Sequence, residues 1–183
     1  MTRRAHRATR AHMYVDESAA SDYLVIGALV ASADVARARA AMKGLLLPGQ
    51  RSLHMKNERN RAGQILGVVI ELQPRVLIYR VERGVPAMEA RSRCVRALAR
   101  DACELGVARV VFDAIESVVD HDRSWVNSGS RSAGRRIPPF TYHHQRRHEE
   151  PLLWIADAVG WAWARGAGHR RMVESIIDRI IDL

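Results

Sequence analysis

Three aspartates stand where the surrounding pattern asks for an apolar side chain. Asp16 closes the run His12–Asp16, Asp113 follows Val110-Val111-Phe112, and Asp157 lies inside the otherwise apolar stretch Leu152–Ala164. An ionised carboxylate withdrawn from water is costly unless it is paired or bound to a metal. Three of them in one small chain point to a shared cation, and all-oxygen ligands of this kind suit Mg²⁺ or Mn²⁺. The plainer alternative for each acid taken singly is a cap on its element, or a pair with one of the many arginines.

The elements that must position these acids follow from the apolar pattern. His12–Asp16 and Tyr23–Ala31 read as a hairpin of a short and a long strand across the turn-rich Glu17–Asp22. Asp34–Leu47 is helical and stopped by Pro48-Gly49. Asn57–Leu72 reads as a second helix on Ile65, Leu66, Val69 and Leu72. Arg75–Glu82 alternates as a strand, Pro86–Leu105 is a third helix ended by Gly106, and Arg109–Ile115 is a short strand. Residues 121–148 read as a long basic loop. Pro151 then opens a helix running to Arg165. Val173–Leu183 places Val173, Ile176, Ile177, Ile180 and Ile181 on one helical face, which is also a candidate dimer surface. Strands mixed with helices in this order give an α/β architecture.

The 183 residues suit a single domain, and the net charge of +9 favours an anionic partner, nucleic acid ahead of a membrane surface. Residues 1–12, with Arg3, Arg4, Arg7 and Arg10, read as a solvated basic tail before a domain spanning 13–183. No apolar run approaches the ~20 residues that span a bilayer. Asp16, Glu17 and Asp22 precede any apolar region, which is wrong for a secretory signal. Cys94 and Cys103 lie nine residues apart in one predicted helix, about 13 Å, too far to bridge. They read as reduced thiols of a cytoplasmic protein.

Three motifs resemble those of the domain-of-unknown-function 3800 family. Met13-Tyr14-Val15-Asp16-Glu17-Ser18 is similar to its opening motif, Leu53-His54-Met55-Lys56 to its central His-x-Lys element, and Glu150-Pro151-Leu152-Leu153-Trp154-Ile155-Ala156-Asp157-Ala158-Val159 to its C-terminal signature. The chain departs from the opening motif in carrying Ala19 where members commonly have glycine. The resemblance implies a ribonuclease-H-like fold, a mixed sheet of about five strands flanked by helices, and a metal-dependent nuclease. It places one acid on the first strand (Asp16), one at the end of the central parallel strand, and one on the C-terminal helix (Asp157). For the second, Asp113 and Glu116 compete, and Asp113 is preferred.

Such a site would hydrolyse phosphodiesters of RNA or DNA with two metals, Asp16 bridging both and Asp113 and Asp157 each completing one. Glu17 or Glu150 would orient the attacking water. Glu150 precedes Asp157 by nearly two turns, about 10 Å along a helix, and alternatively complements the helix N-terminus. His54 and Lys56, two residues apart, could shuttle a proton and hold a phosphate, or form a surface pair. In a flexible basic insertion around 117–147, Arg123, Arg131, Arg135, Arg136, Arg146 and Arg147 interleave with Trp125, Phe140 and Tyr142, the composition of a strand-tracking surface. Trp154 and Trp161 share a face with Asp157; core packing is preferred over base stacking there. Two rival functions stay open: a non-catalytic nucleic-acid- or partner-binding module, and a phosphohydrolase of small nucleotides.

Overall fold

The computed structural model describes residues 10–19 and 22–183. β1 (Ala11–Ser18) and β2 (Tyr23–Ala31) form the expected antiparallel pair, with Asp16 opposite Ile26. They are followed by α1 (Val35–Lys43), α2 (Ala62–Glu71), β3 (Arg75–Val81), α3 (Ala87–Glu104) and β4 (Arg109–Asp113). The chain continues through α4 (Val119–Ser132), β5 (Thr141–Gln145), α5 (Leu153–Ala164), α6 (Ala167–Val173) and β6 (Ile177–Asp182). The sheet runs β5-β4-β1-β2-β3-β6; β4 is parallel to both β1 and β5, β2 is antiparallel to its neighbours, and β6 is parallel to β3.

Helices cover both faces, which explains why β4 reads as an almost unbroken apolar run. Alternation along β1 sends Tyr14 to a core built with α1, α2 and α5, and Met13 and Val15 to a second core built with α3. α5 is buried nearly all round because it crosses the sheet in the middle of its layer. Cys94 and Cys103 are free and buried, as their spacing required.

Two expectations are overturned. The basic stretch 121–148 is no loop: most of it is α4 and β5. The face that α4 buries is Asp122, Val126, Gly129 and Ser130, helical in spacing but not apolar. Gly129 is there because a Cβ would stand 2.2 Å from the carbonyl oxygen of Arg96, so only glycine lets α4 pack this closely on α3. The flexible insertion is thus reduced to the connection 133–140. At the other end, Val173–Leu183 is not a helix but the last residue of α6, a 3-10 turn (Glu174–Ile176) and β6. Its β-branched isoleucines complete the free edge of β3, giving six strands rather than about five, and a dimer through a C-terminal helix has no helix to use.

Smaller shifts are local. 3-10 turns at Met55–Asn57 and Arg59–Arg61 replace the first part of the second expected helix. β1 begins at Ala11, inside the expected tail, whose Arg3, Arg4 and Arg7 lie outside the described residues. Among the described residues no helix is long and apolar enough to cross a membrane.

Candidate active site

Asp16 follows Tyr14 by two on β1, and Asp113 follows Val111 by two on the adjacent parallel β4, so both carboxylates emerge on the face that α5 covers. α5 brings Asp157 to the same place. The three meet on one guanidinium, that of Arg147 in the turn after β5. Its Nη2 donates to Asp16 Oδ1 and Oδ2 at 3.0 and 3.1 Å and its Nε to Asp113 Oδ2 at 2.7 Å, while its Nη1 stands 3.1 Å from Asp157 Oδ1. The backbone of Arg147 is fixed from the other side, because Trp154 Nε1 donates to its carbonyl oxygen at 2.8 Å.

His54 completes the cluster. Its Nδ1 lies 3.1 and 3.2 Å from the two oxygens of Asp157 and 2.6 Å from Arg147 Nη1. One ring nitrogen serves one of these at a time: protonated it donates to Asp157, unprotonated it accepts from Arg147. The Met55 N–H donates to Asp157 Oδ2 at 2.8 Å.

These surroundings drive two carboxyls apart. Burial pushes Asp16 well above the usual carboxylate range; Arg147 opposes the shift, and the nearby Asp157 and Asp113 add to it. Burial acts the same way on Asp157 but is outweighed by the hydrogen bond from His54, the charge of Arg147 and the Met55 N–H, so Asp157 is held below that range. Burial also disfavours the charge on Arg147, and the three aspartates more than restore it.

No protein-family model matches the chain, and no curated protein is significantly similar to it. Solved structures do match. Ribonuclease HII from Archaeoglobus fulgidus, solved in a complex with PCNA, superposes with a TM-score of 0.54 at 13% identity, over 90% of this chain and 75% of its own. Ribonuclease H2 from Pyrococcus horikoshii gives 0.53 at 15% identity, over 91% and 75%. A mutant of Bst-RNase HIII gives 0.53 at 12% identity, over 92% of this chain and 53% of its own length. The fold is ribonuclease-H-like.

On this ribonuclease-H-like sheet the donor chemistry of Asp16, Asp113 and Asp157 fits a hard divalent cation. The geometry as it stands does not: the guanidinium holds the point of convergence, and among the described residues no three His, Cys, Asp or Glu side chains are grouped so as to hold a metal.

The remaining expected residues scatter. Glu17, one residue beyond Asp16, faces the opposite side of the sheet, where it accepts from Tyr23 and from Arg91. Glu150 is buried at the start of α5, paired with Arg39 and accepting from the Leu152 N–H at 3.1 Å, which is the helix-terminus alternative. The Glu116 side chain lies outside the described residues. Lys56 is exposed on the rim of a groove of about 460 Å³ that reaches Asp157 and is lined also by His54, Trp161 and Arg165. Trp154 is core, as preferred; Trp161 is half-buried on the groove, with the Arg165 guanidinium 5.1 Å from its ring centre.

Of the arginines expected to track nucleic acid, Arg123 and Arg131 are exposed on α4, in the layer on the far side of the sheet from Asp16, and Arg135, Arg136 and Arg146 are exposed beyond it. Arg147 is reassigned, since its partners are the aspartates. Two features were missed at the sequence level. One is the role of Arg147, which reads in the sequence as one more strand-tracking arginine. The other is a buried network across the sheet, in which Arg91 donates to both oxygens of Asp122 at 2.9 and 2.8 Å and His144 Nε2 lies 2.9 Å from Asp122 Oδ2. The one signal for it was Asp122, the only acid of a basic stretch.

Proposed function

We propose that this chain is a divalent-metal-dependent nuclease that hydrolyses phosphodiester bonds of RNA or DNA with Mg²⁺ or Mn²⁺. We further propose that it is related to the domain-of-unknown-function 3800 family. The observation that carries the reading is the convergence of three carboxylates, from β1, β4 and α5, on a single cation position. Asp16, Asp113 and Asp157 would hold the ion, which when bound supplies Lewis acidity and an activated water. The chain's own groups do the rest. The Met55 N–H keeps Asp157 aimed and ionised. His54 can hold or release a proton at Nδ1 beside it. Lys56 and Arg165, on the walls of the groove, offer charge to a phosphate backbone.

One observation favours a second reading, a binding module without turnover: Arg147 already neutralises part of the triad. The two separate on labelled RNA and DNA incubated in chelator, Mg²⁺ or Mn²⁺. The nuclease reading expects cleavage only with metal, reduced at least about 100-fold in Asp16→Asn and Asp157→Asn, more than the loss of an outer-shell partner causes. Binding that survives both changes, with no cleavage in any metal, leaves the module. Turnover of nucleotides but not polymers leaves the small-nucleotide hydrolase.

The groove makes its own prediction. A base stacked on an aromatic ring contributes about 1–3 kcal/mol, so Trp161→Leu is expected to weaken single-strand binding about tenfold while the far-UV spectrum stays unchanged. Unaltered affinity in a filter-binding assay removes Trp161 from the strand path.

A further inference from the structure

We propose that Arg147 is the resident counter-cation of the aspartate triad, and that a divalent ion enters only by displacing its guanidinium. The inference deepens the metal-dependent reading above and rests on it. A guanidinium is a planar fork whose three nitrogens point along separate edges. Here each nitrogen takes a different carboxylate: Nε Asp113, Nη1 Asp157, and Nη2 both oxygens of Asp16. The carboxylates are therefore fully engaged by a cation already, with contacts of 2.7–3.1 Å. A divalent ion needs those same oxygens at about 2.0–2.6 Å, where it would stand against a like charge in a buried site. The two cations exclude each other.

The residue is built to leave. The Trp154–Arg147 hydrogen bond pins its backbone, not its side chain, and that side chain is 24% exposed at the start of a turn. Its departure is a side-chain rotation that leaves the hydrogen-bonded backbone in place. Outside, a phosphodiester is the acceptor best matched to the freed fork, since phosphate takes two parallel N–H bonds as a carboxylate does. Substrate in the groove would draw Arg147 off the triad and thereby favour the metal, and by linkage the metal would favour the substrate. A nuclease gated in this way keeps its carboxylates quiet until a strand is present.

The test is direct titration of the full chain with Mn²⁺, followed by the electron paramagnetic resonance of the free ion. A site competent only a tenth of the time binds about tenfold more weakly than its intrinsic affinity. Arg147→Met is therefore expected to bind Mn²⁺ at least about tenfold more tightly than wild type. A non-cleavable phosphorothioate strand is expected to tighten binding in wild type and not in the variant. Equal, measurable affinities overturn the gate and leave the metal reading standing. No Mn²⁺ binding by either protein overturns both. Should Arg147→Met fail to fold in chelator, the wild type carries the test through the ¹⁵N resonance of the Arg147 Nε–H. That proton is expected to exchange slowly with water in chelator and to lose its protection as Mg²⁺ binds; protection retained in the Mg²⁺-bound protein refutes displacement.

Discussion

Replacing Arg91 with methionine is expected to destabilise the fold by about 3–5 kcal/mol, the cost of stranding one side of a buried ion cluster. Arg91 is 5% exposed and Asp122 is fully buried, so no water can replace what the guanidinium supplies. The fork binds Asp122 through two nitrogens and Glu17 through a third contact. After the change, among the described residues, Asp122 keeps His144 as a side-chain partner and Glu17 keeps Tyr23. Burial pushes the Asp122 carboxyl up, but the His144 hydrogen bond and Arg91 together hold it below its ordinary value. A depressed folded value means that the stabilisation is complete above the usual carboxylate range near pH 4 and is lost as pH falls through the folded value. Without Arg91 burial is opposed by His144 but no longer by the guanidinium, so the folded value rises and the contribution of Asp122 to stability above the carboxylate range shrinks. Urea unfolding at intervals from pH 7 down through the carboxylate range reads both effects. A loss under about 1 kcal/mol at pH 7, the scale of a surface pair, would mean that the network is ornamental. The consequence reaches the site, because Glu17 is the neighbour of Asp16 and its tether to α3 fixes the end of β1.

How much of this was legible in the sequence depends on what each residue's neighbours looked like. Asp16, Asp113 and Asp157 stood out because an acid inside an apolar run has no local excuse, and all three do meet. Arg147 did not stand out: it is one arginine in a stretch of them, and its partner Asp16 lies 131 residues away, beyond any periodicity. α4 was hidden for a related reason. Its inward face satisfies itself with an ion pair at Asp122 and a backbone contact at Gly129, neither of which resembles an apolar stripe. The C-terminal isoleucines fail differently. Ile176, Ile177, Ile180 and Ile181 fit a helical face by spacing, and only the unfilled edge of β3 makes Ile177, Ile180 and Ile181 strand. Glu150 carried both readings openly, a site wall or a helix-terminus acid, and Arg39, distant in sequence, decided for the second. The three-motif resemblance named His54 as well as two of the acids, and His54 is in the cluster.

In protein stripped of divalent metal, Asp16→Asn is expected to stabilise Arg147→Met far more than it stabilises wild type. In wild type the relief of the burial that pushes Asp16 up is offset by the loss of an acceptor that Arg147 Nη2 contacts through both oxygens, so the net change is small. In Arg147→Met, itself expected to lose about 3–5 kcal/mol, Asp16 is a buried carboxylate beside two others with no cation among them. Removing its charge then relieves desolvation and repulsion together, and stability rises. Groups sharing one ion cluster couple by about 0.5–3 kcal/mol, and these two should lie near the upper end because Asp16 is only 5% exposed. Mg²⁺ should rescue Arg147→Met more than wild type, since an ion that binds only the folded chain adds about 2.7 kcal/mol at a hundredfold excess over its dissociation constant. It should not rescue the double variant to the same extent, because one ligand is gone. Four urea curves in chelator and four in Mg²⁺ complete the cycle. If Asp16→Asn has the same sign and size in both backgrounds, the guanidinium is not what reconciles the three aspartates, and the cation position they share is an accident of packing rather than a site.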